Sequence, residues 1–319
     1  MTTRITVLGA PTSAGAHYAG QELGPSAIRR AGFVDILSDA GLDVIDAGDI
    51  RGEVFRVDPD PTPLRNLGAV VDVAERVADA VQEHVSRGYL PIVLGGDCTI
   101  SLGVVAGLQR VHDDVGVAYI DGDADLSTPE RTHSGILDAT GVAHFLGLAD
   151  TPLAAIGSSQ PMLRPEQLVL LGYDPTDLDA YDADVFAARP ELLHFTDDEI
   201  RADAATAASQ ARSQLAERTA VLVHFDVDCV DSADLPLANY PHYGSGLSLD
   251  TAAQLLSTMV GADNLAAISL TEVNPTHDPG GEQLDRYVSA VATAIADGIR
   301  SSKRRSSEEI SRSGRSRRR

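Results

Sequence analysis

Eight short runs of Val, Ile, Leu and Ala recur along this chain, and most are apolar throughout rather than alternating with polar residues. They are Ile5–Gly9, Leu42–Ala47, Leu90–Leu94, Gly116–Ile120, Gln167–Gly172, Leu192–Phe195, Ala220–Phe225 and Leu265–Leu270. A strand with one wetted face alternates. A strand apolar on both sides needs cover on both faces, as in a parallel sheet between layers of helices. The stretches between the runs supply those helices. Leu64–Arg87 places Val70, Val73, Ala74, Val77, Ala80, Val81 and Val85 close to a 3.6-residue period, and Gly88 stands at the expected stop. Asp197–Arg218 and Leu284–Arg300 are Ala-rich and similarly patterned. The expectation is a single three-layer α-β-α domain over residues 1–300, with an eight-stranded, mainly parallel sheet. A length of 319 residues suits one large domain of this kind.

Charge narrows the function. The formal net charge is −22, which disfavours nucleic acid or an anionic membrane as the main partner. Residues 301–319 conceal part of this acidity, with eight Lys or Arg against two Glu. That segment is low in complexity and nearly free of apolar groups, so a disordered basic tail is expected. No apolar run approaches the ~20 residues of a membrane span. The opening stretch reads as a first strand rather than a signal peptide. Two cysteines, Cys98 and Cys229, are too few for a disulfide framework, and a cytoplasmic setting is expected.

Polar motifs follow four of the apolar runs. GGDCT spans residues 95–99, DGDAD 121–125, HFDVD 224–228 and TEVNP 271–275. Each alone is as readily a turn or a helix cap. Together they put acidic clusters at the carboxyl ends of parallel strands, where ligands of open α/β sheets bind. Several carboxylates at one site repel one another unless a cation joins them. Extended backbone at Asp121, Asp123 and Asp125 would align all three on one side. Other candidates have plainer readings. Cys229 packs beneath the site, His144 is a satisfied, partly buried group, and His224 is structural. His133, His242 and His277 fall in loops, with site and solvent roles both open.

The four motifs, in this order, resemble those of the ureohydrolases: arginase, agmatinase, guanidinobutyrase and formimidoylglutamase. GQELGPSAIRRAG (residues 20–32) is similar to their N-terminal segment and LSTPERTHSG (126–135) to their substrate loop. The resemblance implies two Mn²⁺ ions that activate water toward a guanidine or amidine carbon. It puts metal ligands at Asp121, Asp125, Asp226 and Asp228, with Asp125 also orienting the water and Glu272 gripping the guanidinium. Both histidine ligands of the family pattern are replaced, by Cys98 and by Asp123. The proton-shuttle histidine falls on Asp138. Substrate-contact positions fall on Ser127, Thr132, Ser134 and Asp177. Five carboxylates and a thiol carry more negative charge than the usual set, and sulfur favours softer ions such as Zn²⁺ or Fe²⁺ over Mn²⁺. The function expected is metal-dependent hydrolysis of a C–N bond in a small cationic guanidino or amidino compound, by a homotrimer or homohexamer. The alternative is a non-catalytic member of the same fold with a binding, regulatory or assembly role.

Overall fold

The computed structural model describes residues 4–57, 64–177 and 180–316, with side chains described as far as Arg305. Among these residues eight strands form one sheet: β1 (Arg4–Ala10), β2 (Asp43–Asp49), β3 (Tyr89–Gly95), β4 (Val115–Ile120), β5 (Leu168–Tyr173), β6 (Leu193–Thr196), β7 (Ala220–Asp226) and β8 (Leu265–Thr271). Their order is β2-β1-β3-β8-β7-β4-β5-β6, and every neighbouring pair is parallel. All eight apolar runs are strands. β4, β5 and β7 are buried along their whole length, as doubly covered strands must be. β2 departs from the expectation. It is an edge strand, largely exposed, with Ile45 46% accessible.

Among the described residues nine α-helices cover the sheet: α1 (Gly24–Arg30), α2 (Phe33–Asp39), α3 (Leu67–Ser86), α4 (Ile100–Gln109), α5 (Gly141–Phe145), α6 (Ala183–Ala188), α7 (Asp197–Leu215), α8 (Leu249–Val260) and α9 (Glu282–Ser316). On one face Ile28, Phe33, Ala208, Leu256 and Val291 pack from α1, α2, α7, α8 and α9. On the other, Val77, Val105, Phe145 and Phe186 pack from α3, α4, α5 and α6. α3 is the amphipathic helix read from its spacing, and it buries Val70, Val73, Ala74, Val77, Ala78 and Val81. α4 has no amphipathic period because it is covered almost all round. It lies against α3 through Gly103 and Gly107. A Cβ at Gly103 would stand 2.4 Å from the Ala74 carbonyl oxygen, and one at Gly107 2.6 Å from that of Ala78.

The sheet order positions the site. β3, β8, β7 and β4, the strands that precede the four acidic motifs, are contiguous at its centre. Ile120 pairs with Phe225, and Asp226 pairs with Thr271. Asp121, Asp226 and Glu272 therefore leave the sheet at nearly the same height.

The basic segment does not begin as a separate tail. Its backbone continues α9 to Ser316. The Ser302 hydroxyl donates to Asp263 at 2.7 Å, and Arg305 donates to the Gly261 carbonyl. Arginine is a good helix former, so a chain anchored at these points can extend the helix without a core of its own. The expectation of disorder for 317–319, and for side chains beyond Arg305, lies outside the described residues.

Two outcomes are expected. Gly103→Ala should lower unfolding free energy by about 1–2 kcal/mol in urea titration, because a clash with backbone outweighs the ~1 kcal/mol that alanine adds to a helix. Deleting residues 306–319 should leave the urea midpoint unchanged.

Candidate metal centre

The loops after the four central strands surround one cleft of about 650 Å³, counting its open mouth. All twelve residues singled out from the sequence border it. Cys98, Asp121, Asp123, Asp125, Asp226 and Asp228 do so, as do Ser127, Thr132, Ser134, Asp138, Asp177 and Glu272.

Backbone bonds fix the carboxylates. The Asp123 N–H donates to Asp121 at 2.7 Å, Gly122 N–H to Asp228 at 3.0 Å, and Asp228 N–H to Asp226 at 3.0 Å. The Thr271 hydroxyl donates to the second Asp226 oxygen at 2.8 Å. Gly122 is required here, since a Cβ would fall 2.6 Å from the Asp228 carbonyl oxygen. The DGDAD segment is not the extended stretch expected. It bends after Asp121, and Asp125 sits at φ 49°. Glu272 is also left-handed, at φ 65°. Such backbone costs non-glycine residues about 1–3 kcal/mol each and persists where the surroundings hold it. The holds are visible. Tyr119 donates its hydroxyl to Asp125 at 2.6 Å. Glu272 accepts the Cys98 N–H at 2.9 Å and the Gln21 amide, and its own N–H donates to Gly96 at 2.8 Å.

The loop residues are also partly engaged. Thr132 and Ser134 accept the Gly135 and Ile136 N–H groups at 3.0 and 3.2 Å, which shapes the loop at the cleft wall. The Ser127 N–H donates to the Ala139 carbonyl at 3.2 Å. Asp138 accepts the Ala139 N–H at 2.9 Å, and its carbonyl receives the Cys98 thiol at 3.1 Å.

Electrostatically, carboxylates outnumber cations among the described residues at the cleft. Burial, then Asp228 and Asp125, pushes the Asp121 carboxyl well above the carboxylate range. Burial also raises Asp125, Asp226, Asp138 and Glu272, and neighbouring carboxylates add to it. Cys98 is pushed up by burial and then by Asp125, so it holds its proton. Asp123 rises to about 6 through burial, despite a 3.3 Å contact with His242. Burial opposes charge on His242, but Asp123 outweighs it and raises the imidazole to about 9. His224 is driven down to about 3 by burial and is neutral.

Sequence reasoning did not mark several of these partners. Gln21 lies in a segment quoted for its resemblance, but nothing in its type announced a bond to Glu272. Tyr119 lies in an apolar strand run, and only the tertiary structure shows its hydroxyl on Asp125. His17 and Tyr240 stack at the cleft with centroids 5.6 Å apart. His133 also lines it, whereas His277 is exposed and bonded to Asn274. His144 is satisfied by Thr140 and Thr151 as read from the sequence, but is fully rather than partly buried, and Cys229 is buried beneath the site as expected.

The donor chemistry fits a divalent cation. Three groups have ligand-type atoms within 4.8 Å of one another: Cys98, Asp226 and Glu272; Asp121, His224 and Asp226; Asp123, Asp228 and His242. His224 Nε2 and Asp123 Oδ1 are buried without a hydrogen-bond partner. Buried polar atoms rarely stay unpaired, and a cation would satisfy both.

The raised carboxyls predict the pH response of metal-free protein. Each contributes stability that is fully present below its unfolded value, near pH ~4, and that is lost as pH rises through the folded value. For Asp123 that folded value is about 6. His242 adds stability present below ~6.5 and lost through about 9. In chelator, Asp121→Asn should therefore raise the melting temperature relative to wild type, and by more at pH ~8 than at pH ~6. A variant-minus-wild-type difference that shrinks over this range would contradict the charge assignment.

Comparison with known proteins bears on the family and the fold. The family model described as "Arginase family" matches residues 3–297. An arginase of Bacillus caldovelox is 31% identical over 277 residues, covering 86% of this chain and 92% of that protein. An arginase of Brevibacillus brevis is 31% identical over 280 residues, covering 87% and 93%. The solved structure of Bacillus caldovelox arginase superimposes with a TM-score of 0.80 at 27% identity, covering 93% of this chain and 98% of that one. Arginase of Entamoeba histolytica, at 22% identity and a TM-score of 0.82, shares the fold over 92% and 99% of the two chains. This chain belongs to the arginase family.

Proposed function

We propose that this protein is a metal-dependent hydrolase of a carbon–nitrogen bond in a small cationic guanidino or amidino compound. The observation that carries the reading is the meeting of carboxylates from three contiguous strand ends, β4, β7 and β8, with Cys98 from the neighbouring β3 and more negative charge than the cleft itself neutralises. Asp121, Asp125, Asp226 and Asp228 would hold one or two divalent ions, with Cys98 and Asp123 at the positions that the family pattern fills with histidine. A divalent ion bound there lowers the pKa of water and polarises the substrate.

The remaining roles belong to side chains. Asp125, fixed by the Tyr119 hydroxyl, orients the attacking water. Glu272 faces the cleft with both oxygens already accepting one bond each, and a carboxylate has about four lone-pair sites. The remainder suit the paired N–H groups of a planar cation. Asp138 stands where the family pattern has a shuttle histidine. Its raised pKa lets it carry a proton nearer neutrality than an ordinary aspartate, as general acid catalysis requires. Ser127, Thr132, Ser134 and Asp177 would contact the substrate's far end. Mn²⁺ is the ion of the family pattern, and the Cys98 sulfur tilts the site toward Zn²⁺ or Fe²⁺ once its proton is displaced. A homotrimer or homohexamer in the cytoplasm is part of this proposal. Among the described residues no helix is long and apolar enough to cross a membrane.

One observation favours a second reading, a non-catalytic role in binding or assembly. Cys98 holds its proton among carboxylates, so the first metal position begins from an unfavourable state. Urea release from arginine, agmatine and guanidinobutyrate, assayed with metal content, separates the two readings. Asp226→Ala is expected to abolish stoichiometric metal uptake in elemental analysis. Glu272→Gln should keep the metal and lower kcat/KM by roughly 10–10²-fold, the loss of about 1.5–3 kcal/mol of charge-assisted bonding. A folded, metal-free protein that is not stabilised by Mn²⁺, Zn²⁺ or Fe²⁺ would exclude the metal-dependent reading.

A further inference from the structure

The family pattern loses two imidazoles in this chain, at Cys98 and Asp123, yet two others stand in the cluster. His224 precedes Asp226 by two residues on β7, so both side chains point to the same face. Its Nε2 lies 3.7 Å from Asp121 Oδ2 and 4.0 Å from Asp226 Oδ2, too far for a hydrogen bond to either. That nitrogen is fully buried and unpartnered. The other ring nitrogen is held by the Ser269 hydroxyl at 2.9 Å, and the ring stacks on Tyr119 with centroids 4.3 Å apart. A histidine steered through one nitrogen while the other faces carboxylates has the arrangement of a metal ligand.

His242 arrives from the loop between β7 and α8. Its Nε2 lies 3.3 Å from Asp123 Oδ2 and groups with Asp228. The second Asp123 oxygen is buried and unpartnered. Two donors each about 2.1 Å from one ion stand ~3.0–3.4 Å apart at ordinary angles and at most ~4.2 Å apart. All three separations fall within that limit.

We propose that His224 and His242 are metal ligands, returning to the cluster the two imidazoles that its motifs lack. His242 serves the subsite of Asp123 and Asp228, and His224 serves the pair Asp121 and Asp226. The structural role expected of His224 is thereby replaced. A neutral imidazole adds a donor without adding negative charge, which an overloaded carboxylate cluster needs if the bound ion is to keep its polarising power. The inference rests on the metal-dependent reading above.

The test loads the full-length protein with Mn²⁺, removes free ion, and counts bound ions by elemental analysis, with titration calorimetry for affinity. Electron paramagnetic resonance separates a coupled pair from a single ion. Wild type should hold two ions, and His242→Ala one. Adding Asp123→His to His242→Ala returns an imidazole to the same subsite from the neighbouring loop, and should restore the second ion. His224→Asn should weaken binding of the remaining ion by at least ~10²-fold. Circular dichroism in chelator checks that each variant is folded, and His242→Gln replaces His242→Ala should the latter be unstable. Two ions in wild type, retained with equal affinity in both histidine variants, would overturn this inference and leave the metal-dependent reading standing. A single ion unaffected by either variant would do the same. No uptake by wild type would overturn both.

Discussion

Carboxylate repulsion in a buried cleft is the constraint on which the rest of this molecule depends. Asp121, Asp125, Asp226, Asp228 and Glu272 are all nearly inaccessible, and they converge from the ends of three strands while β3 contributes Cys98. Buried like charges raise one another's affinity for protons, so the cluster demands protons, a cation or a cationic partner. The sheet tolerates this because each carboxylate is tied by backbone N–H groups or by hydroxyls. The loops cannot relax outward without breaking those bonds.

The scaffold supplies the rigidity. Parallel strands buried on both faces cannot shift register without exposing apolar side chains, so the height at which each loop leaves the sheet is fixed. Behind the cleft, α4 starts immediately after the Cys98 loop and is locked to α3 by two glycines without side-chain bulk between the backbones. That contact transmits the position of Cys98 to the core. On the other side, the N-terminal segment reaches across so that Gln21 can hold Glu272. Parts far apart in sequence thus fix a single carboxylate.

The chemistry of the cleft differs from the family pattern by charge as well as by ligand identity. Aspartate at position 123 adds a negative charge, and its 3.3 Å partner His242 answers it locally. Cysteine at position 98 adds a latent one. On the proposed metal-dependent reading, the positive charge that a bound ion would keep depends on the neutral donors beside it, which is the role proposed for His224 and His242.

The sequence by itself determined the class of fold, the strand runs and the acidic motifs, because those rest on local hydrophobic pattern and on short contiguous strings. It placed ten of the twelve cleft residues because each sits in such a string or in the quoted substrate loop, while Asp138 and Asp177 came from the family resemblance alone. It did not find α4, whose apolar residues have no period because the helix is enclosed. It listed β2 among the strand runs without marking it as an edge, since apolar content does not say which strand lies at an edge. It took DGDAD for extended chain, although the bend and the left-handed Asp125 are imposed by neighbouring loops. Tertiary structure alone decided that β3, β8, β7 and β4 lie side by side, that Tyr119 and Gln21 support the site, and that His242 meets Asp123. Those facts depend on contacts between residues up to 251 positions apart, as between Gln21 and Glu272, and no local pattern records which distant segments pack together.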